Sequence, residues 1–157
     1  MSIQSLLEDS RLLTTAKDVS KTISIEEAVK HIPDNVDGVI ALYFSASWCP
    51  PCRAFTPVLS KFYNDALAAG KPFQCIYISS DQDEESFQDY FSHMSFLALP
   101  FDAMEIRNKL ASEYKIKGIP TLVFVNRQGK LLTKEGKKCI ADAHGDINSF
   151  EWEWNMK

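Results

Sequence analysis

From Val39 onward the chain alternates between continuous apolar runs and stripes of apolar positions spaced three and four apart. Val39-Ile-Ala-Leu-Tyr-Phe44 follows Asp37-Gly38 and has no polar side, the pattern of a central strand covered on both faces. After Pro50 the spacing changes. Val58, Leu59, Phe62, Tyr63, Ala66 and Leu67 mark one helical face, with Gly70 as its stop. Phe73-Gln-Cys-Ile-Tyr-Ile-Ser79 returns to strand character, and Phe87, Tyr90, Phe91 and Met94 form the next helical stripe. Asp102 is placed to cap a further helix, with Glu105 three residues on and Ile106, Leu110 and Tyr114 as its buried face. Thr121-Leu-Val-Phe-Val125, a turn over Asn126 to Lys130 containing Gly129, and Leu131-Leu132 predict a strand pair.

Upstream, Leu12 to Ser24 predicts short strands in a hairpin, and Ile25 to Ile32 a short helix closed by Pro33. Downstream the pattern is weak, although Phe150, Trp152 and Trp154 alternate and are expected to fold back on the body. From Val39 the order is β, α, β, α, α, β, β. It predicts an α/β fold: a central mixed β-sheet flanked by helices on both faces, with an N-terminal short-strand hairpin extension. No repeat, low-complexity tract or linker marks a boundary, so a single domain over residues 1–157 is expected, with its core at about 12–152.

Composition narrows the function classes. A content of 45% hydrophobic and 24% charged residues suits a globular chain and argues against disorder or a coiled coil. Seventeen Lys and Arg against 21 Asp and Glu give a net charge of −4, so neither nucleic acid nor an anionic membrane is an expected partner, since both need a basic face. No apolar run approaches the roughly 18 residues of a spanning helix. Met1 to Arg11 lacks the basic and apolar regions of a secretory leader. A cytoplasmic protein is expected, with the nucleus as the alternative compartment.

Of the four cysteines, two stand as Cys49-Pro-Pro-Cys52, just after a predicted strand and at the mouth of a predicted helix. Free backbone N–H groups and the positive end of the helix dipole favour a thiolate there. A cysteine with a pKa of about 8.5 is only roughly 3% thiolate at neutral pH, whereas one lowered to about 7 is about half ionised. Arg53 is placed to add positive potential. Pro50 and Pro51 are tolerated in a first helical turn and stiffen the loop, which holds the two sulfurs close. Cys52 is the more interior and suits a resolving thiol: Cys49 attacks a disulfide, and Cys52 then releases the product, or the reverse cycle oxidises a dithiol. Structural zinc would need four ligands, and Cys75, Cys139, His31, His93 and His144 offer no second close pair. No metal is expected.

The run Tyr43-Phe-Ser-Ala-Ser-Trp-Cys-Pro-Pro-Cys-Arg53 resembles the active-site segment of the thioredoxin superfamily, and more narrowly of its tryparedoxin and nucleoredoxin branch. Further anchors are Phe55-Thr-Pro57, Asp83 to Phe91, Met94 with Leu97-Ala-Leu-Pro-Phe101, and Gly118-Ile-Pro-Thr-Leu122. The resemblance implies a thioredoxin-like fold and a protein-disulfide reductase with Cys49 as nucleophile and Cys52 as resolving cysteine. Trp48, Pro50, Pro51, Ile119 and Pro120 would contact substrate, with a cis bond before Pro120 and the main chain of Ile119 free to pair with an extended segment. No cofactor is implied beyond the redox-active Cys49–Cys52 disulfide. The implied partners are disulfide-bearing proteins, peroxiredoxins among them, and a thiol or flavoprotein reductant, with the chain acting as a monomer. The alternative is a redox-gated protein-binding module of nucleoredoxin type.

The chain also departs from its relatives. Thioredoxins proper carry a buried aspartate six residues before the first cysteine, where this chain has Tyr43, so another group must move the proton. Tryparedoxins have a Trp followed by acidic residues after the next strand, where this chain reads Ser80-Asp81-Gln82-Asp83, which argues against a trypanothione donor. Several residues read as structure alone. Cys75 suits a buried apolar site and Cys139 an exposed one. Phe87, Tyr90 and Phe91 read as core, His93 as surface, and Asp81 to Glu85 as a solvated helix start.

Overall fold

The computed structural model describes Leu7 and residues 11–36 and 38–152. Seven strands form one sheet: β1 (Leu12–Leu13), β2 (Thr22–Ile23), β3 (Val39–Ser45), β4 (Phe73–Ser79), β5 (Leu97–Ala98), β6 (Thr121–Val125) and β7 (Leu131–Thr133). Their order across the sheet is β2-β1-β5-β4-β3-β6-β7. β3 and β4 run parallel over the full register from Val39 beside Phe73 to Ser45 beside Ser79, and β5 continues parallel to β4. β6, β7, β1 and β2 pair antiparallel, so the sheet is mixed, as the strand and helix order predicts.

Every residue of β3 and β4 is buried, which explains their uninterrupted apolar sequences. Alternate side chains feed two cores. Val39, Ala41, Tyr43, Phe73, Cys75 and Tyr77 face one side, where α2 (Pro50–Ala68), α3 (Glu84–Phe91) and α5 (Gly136–Asp142) pack. Ile40, Leu42, Phe44, Ile76 and Ile78 face the other, against α1 (Ile25–Ala28) and α4 (Met104–Glu113). The N-terminal hairpin forms, with Leu12 opposite Ile23, and β1 attaches it to β5.

α2 ends as its sequence predicts. Gly70 takes φ +70°, and the Lys71 N–H closes on the Ala66 carbonyl at 2.9 Å, a turn that a residue with a Cβ enters at a cost. In α3 the Asp83 carboxylate accepts from Ser86 N–H and caps the helix; Met94 lies beyond its end. The tail folds back as expected. Phe150 is buried, and Trp152 stacks on Phe62 at 5.9 Å between ring centroids. Trp154 lies outside the described residues.

Four expectations are corrected. α1 stops at Ala28, because Val29 leaves helical geometry and the chain tightens into turn bonds from Lys30 to Glu27 and from Ile32 to Val29. Asp102 does not cap α4. It sits within a turn closed by Ala103 N–H on the Pro100 carbonyl, and Ala103 occupies the cap position with no side-chain bond. The short strand β5 was not predicted, nor was α5, whose Gly-Lys-Lys-Cys-Ile-Ala-Asp sequence carries little apolar periodicity.

α5 can dock so closely only because it begins with glycine. A Cβ at Gly136 would stand 2.7 Å from the Leu122 carbonyl oxygen and 2.9 Å from the Phe124 ring. Gly136→Ala is therefore expected to cost about 1–3 kcal/mol by overpacking against β6. Calorimetric melting would show it, and an unchanged Tm would mean that α5 is not held against the strand.

Candidate active site

The register of the sheet brings the predicted residues together. Phe44 at the end of β3 lies beside Thr121 at the start of β6, so the loop ending in Pro120 adjoins the segment that leads from β3 into the dithiol. This is the carboxyl end of the parallel strands, where open α/β sheets place their sites. The Ile119–Pro120 bond is cis. Ile119 is half-buried against the second core. Pro51 and Pro120 line one open groove of about 630 Å³ together with Phe55, Val58, Lys134 and Lys137.

Cys49 is the N-cap of α2, in extended geometry, and its sulfur accepts from the Cys52 N–H at 3.4 Å. Pro50 and Pro51 occupy the first two helical positions, where a missing N–H costs no intrahelical bond. Both cysteines are free thiols. Cys49 is 5% exposed and Cys52 is not exposed at all, so the second is the interior one. Burial, followed by the hydrogen bond with Cys49, pushes the Cys52 thiol up to about 11.

The loop before Cys49 is tied down from three directions. Trp48 is 55% exposed, yet its Nε1–H donates to the Ser80 carbonyl at 3.0 Å, which lays the indole beside the site. Arg53 Nη1 donates to the Ser47 carbonyl at 3.1 Å, which brings its charge to the first turn of α2. The Ser47 N–H donates to Asp81 Oδ1 at 2.7 Å. Asp81 is the main correction to the sequence reading. It is buried, and its other oxygen accepts from the Ser79 hydroxyl at 2.6 Å and from Tyr77 OH. Only the remainder of the acidic run, Gln82 to Glu85, is exposed.

Behind Cys52 lies a set of buried hydroxyls. Tyr43 OH donates to the Cys52 carbonyl at 3.1 Å and lies 2.9 Å from Thr56 Oγ1. Thr56 Oγ1 lies 2.6 Å from Tyr90 OH, which is 3.0 Å from Ser45 Oγ. Sequence reasoning missed Ser45 and Thr56 and assigned Tyr90 to the core alone. One signal was available: Thr56 follows Cys52 by four residues, which puts it on the same helical face. Elsewhere, Cys75 is fully buried and burial raises its thiol pKa, as suits a core residue. Cys139 is half-buried against the first core rather than open, and His93 is exposed. Among the described residues no three His, Cys, Asp or Glu side chains are grouped to hold a metal ion, and no helix is long and apolar enough to cross a membrane.

Comparison with known proteins agrees with this geometry. A thioredoxin-like family model matches residues 37–131. Mouse nucleoredoxin is 41% identical over 118 residues, covering 75% of this chain and 26% of the relative, so the chain spans about a quarter of the nucleoredoxin's length. Tryparedoxin of Trypanosoma brucei brucei is 42% identical over 119 residues, covering 74% of this chain and 81% of the relative. A tryparedoxin II solved in complex with glutathionylspermidine superimposes with a TM-score of 0.76 at 32% identity, covering 89% of this chain and 91% of that one.

Proposed function

Because this chain belongs to the thioredoxin-like oxidoreductase family, we propose that it reduces protein disulfides through Cys49 and Cys52. The observation that carries the reading is the asymmetry of the pair: Cys49 caps α2 and keeps a 5% edge open to solvent, while Cys52 is fully buried. The Cys49 thiolate attacks one sulfur of the substrate disulfide, and the other substrate sulfur leaves with the bonding pair and takes a proton from water. Cys52 then loses its proton and attacks the Cys49 sulfur. The Cys49–Cys52 bond forms, the bond to substrate breaks, and the second substrate sulfur leaves as a thiolate. Two electrons have moved from the dithiol to the substrate, and an external thiol or flavoprotein returns them.

Burial gives this sequence its order. A Cys52 thiol pushed up to about 11 stays protonated at neutral pH and leaves Cys49 to react first. The groove lined by Pro51, Phe55, Val58 and Pro120 with Lys134 and Lys137 suits a polypeptide segment, whose proposed contacts are Pro51 and Pro120 within it and Trp48, Pro50 and Ile119 outside its lining. The glutathionylspermidine complex of the related tryparedoxin supports a thiol as the electron donor. Ser80, standing where tryparedoxins have Trp, argues that this donor is not trypanothione. A cytoplasmic location follows from the same reading.

Cys52→Ser tests the scheme. The mixed disulfide would no longer resolve, so incubation with insulin should accumulate a covalent complex that dithiothreitol dissolves and that Cys49→Ser abolishes. A complex that forms equally well without Cys49 would overturn the assignment.

A further inference from the structure

The chain carries 17 basic against 21 acidic side chains, yet the groove beside the dithiol has the opposite sign. Lys134, Lys137 and Lys138 line it against one carboxylate, that of Glu135. Most of the remaining lining is apolar, and Val58 within it is a large aliphatic side chain left 46% exposed.

The fold holds these cations near the reacting end. Gly136, which starts α5, abuts Leu122, two residues beyond Pro120. The start of α5 therefore lies about two extended residues, roughly 7 Å, from Pro120 along β6. Lys134 Nζ donates to the Lys115 carbonyl at 2.9 Å, which ties the end of β7 to the loop running to Pro120. A carbonyl leaves the ammonium charge whole, and the same loop adds the exposed Lys117. Lys138 is neutralised by Asp142 at 2.9 Å. Lys137 is half-buried and has no ion-pair partner among the described residues.

Resting on the reading above, in which Cys49 attacks a protein disulfide, we propose that this groove selects substrates with Asp or Glu within about three residues of the reacting cysteine. The apolar lining takes the extended segment, and Lys137 with Lys134 takes its carboxylates. The reach follows from the groove's length: Pro51 to Val58 spans about 10 Å of helix, which an extended strand covers in about three residues. The rest of the molecule works against this choice. A net charge of −4 repels acidic segments at long range, so a preference for them reports the local cations. Charges at the rim of an interface act chiefly on the association rate and on its salt dependence.

The test uses synthetic peptides that share a cysteine in mixed disulfide with nitrothiobenzoate and differ only in flanking glutamate, serine or lysine residues. The reduced protein releases nitrothiobenzoate, and the part of the rate constant that Cys49→Ser loses is divided by that of dithiothreitol with the same peptide. This ratio removes the effect of the flanks on the peptide's own reactivity. At low ionic strength the glutamate peptide should react about tenfold faster than the lysine peptide, from roughly threefold at each of two exposed charge contacts. The preference should vanish near 1 M salt, where charges are screened within about 3 Å. Lys137→Glu leaves Lys134 and Lys138 against Glu135 and the new carboxylate, and should also abolish it. A carboxylate in the first turn of α5 suits the helix dipole, and the melting temperature checks that the variant folds. Equal rates for the three peptides, or a faster lysine peptide as the net charge alone would give, overturn the inference. So does a preference that Lys137→Glu leaves unchanged in a folded variant. Nitrothiobenzoate release that persists in Cys49→Ser rejects the underlying scheme instead.

Discussion

Replacing Cys49 with serine is expected to lower dithiothreitol-driven insulin reduction at least about a thousandfold, because a hydroxyl is not ionised at neutral pH and forms no disulfide. Few sites offer so clean a substitution. Cys49 is the N-cap of α2, and serine is among the preferred N-cap residues, so the helix should start as before and the Tm should stay close to the parent value. Loss of turnover in a protein that melts normally would assign the chemistry to the Cys49 sulfur. Full turnover by the variant would mean that Cys52 or Cys139 attacks first, and the proposed order would be wrong. Cys139→Ser serves as the control and should leave turnover unchanged, since α5 carries that thiol outside the pair.

Asp81→Ala is expected to destabilise the protein by on the order of 3–5 kcal/mol, read as a lower urea midpoint, because each buried donor left without a partner costs roughly 1–3 kcal/mol. The Ser79 hydroxyl and the Ser47 N–H lose this acceptor, and the Tyr77 hydroxyl keeps only the longer bond to the Ser45 carbonyl at 3.4 Å. Asp81→Asn should cost less. An amide keeps one acceptor oxygen but turns an NH₂ toward either the Ser47 N–H or the two hydroxyls. Releasing Ser47 also frees the loop that carries Trp48 and Cys49, so disulfide reduction should fall in the same variants at temperatures where they remain folded. An unchanged midpoint in Asp81→Ala would show that water replaces the carboxylate at no cost, and the loop would not depend on it.

How much of this was legible in the sequence depended on the range of the interactions involved. β3, β4 and α2 are written locally: an unbroken apolar run for a doubly covered strand, and a three-and-four stripe for a helix. The dithiol and the Pro120 loop were legible because their motifs are short. β5 was not, since two residues with a parallel partner leave no periodic trace. α5 presents mostly polar residues and depends on the close approach of Gly136 to β6, which only the tertiary fold shows. Asp81 looked solvated because it begins an acidic run, yet its neighbour across the site, Ser47, is 34 residues away. Tyr90 looked like core because it is core. That its hydroxyl meets Ser45 depends on how α3 sits over the end of β3, a contact across 45 residues.

Phe62, near the far end of α2, lies within ring contact of Phe73, Phe150 and Trp152. One helix therefore has a working end and an anchored end, with Pro57 between them interrupting the backbone ladder. In the proposed cycle a sulfur at the working end changes its bonding partner; at the other end an aromatic cluster packs the helix on the sheet. If the proposed cycle runs at Cys49, such a division would confine its displacement to the first turn and leave the rest of the helix in place.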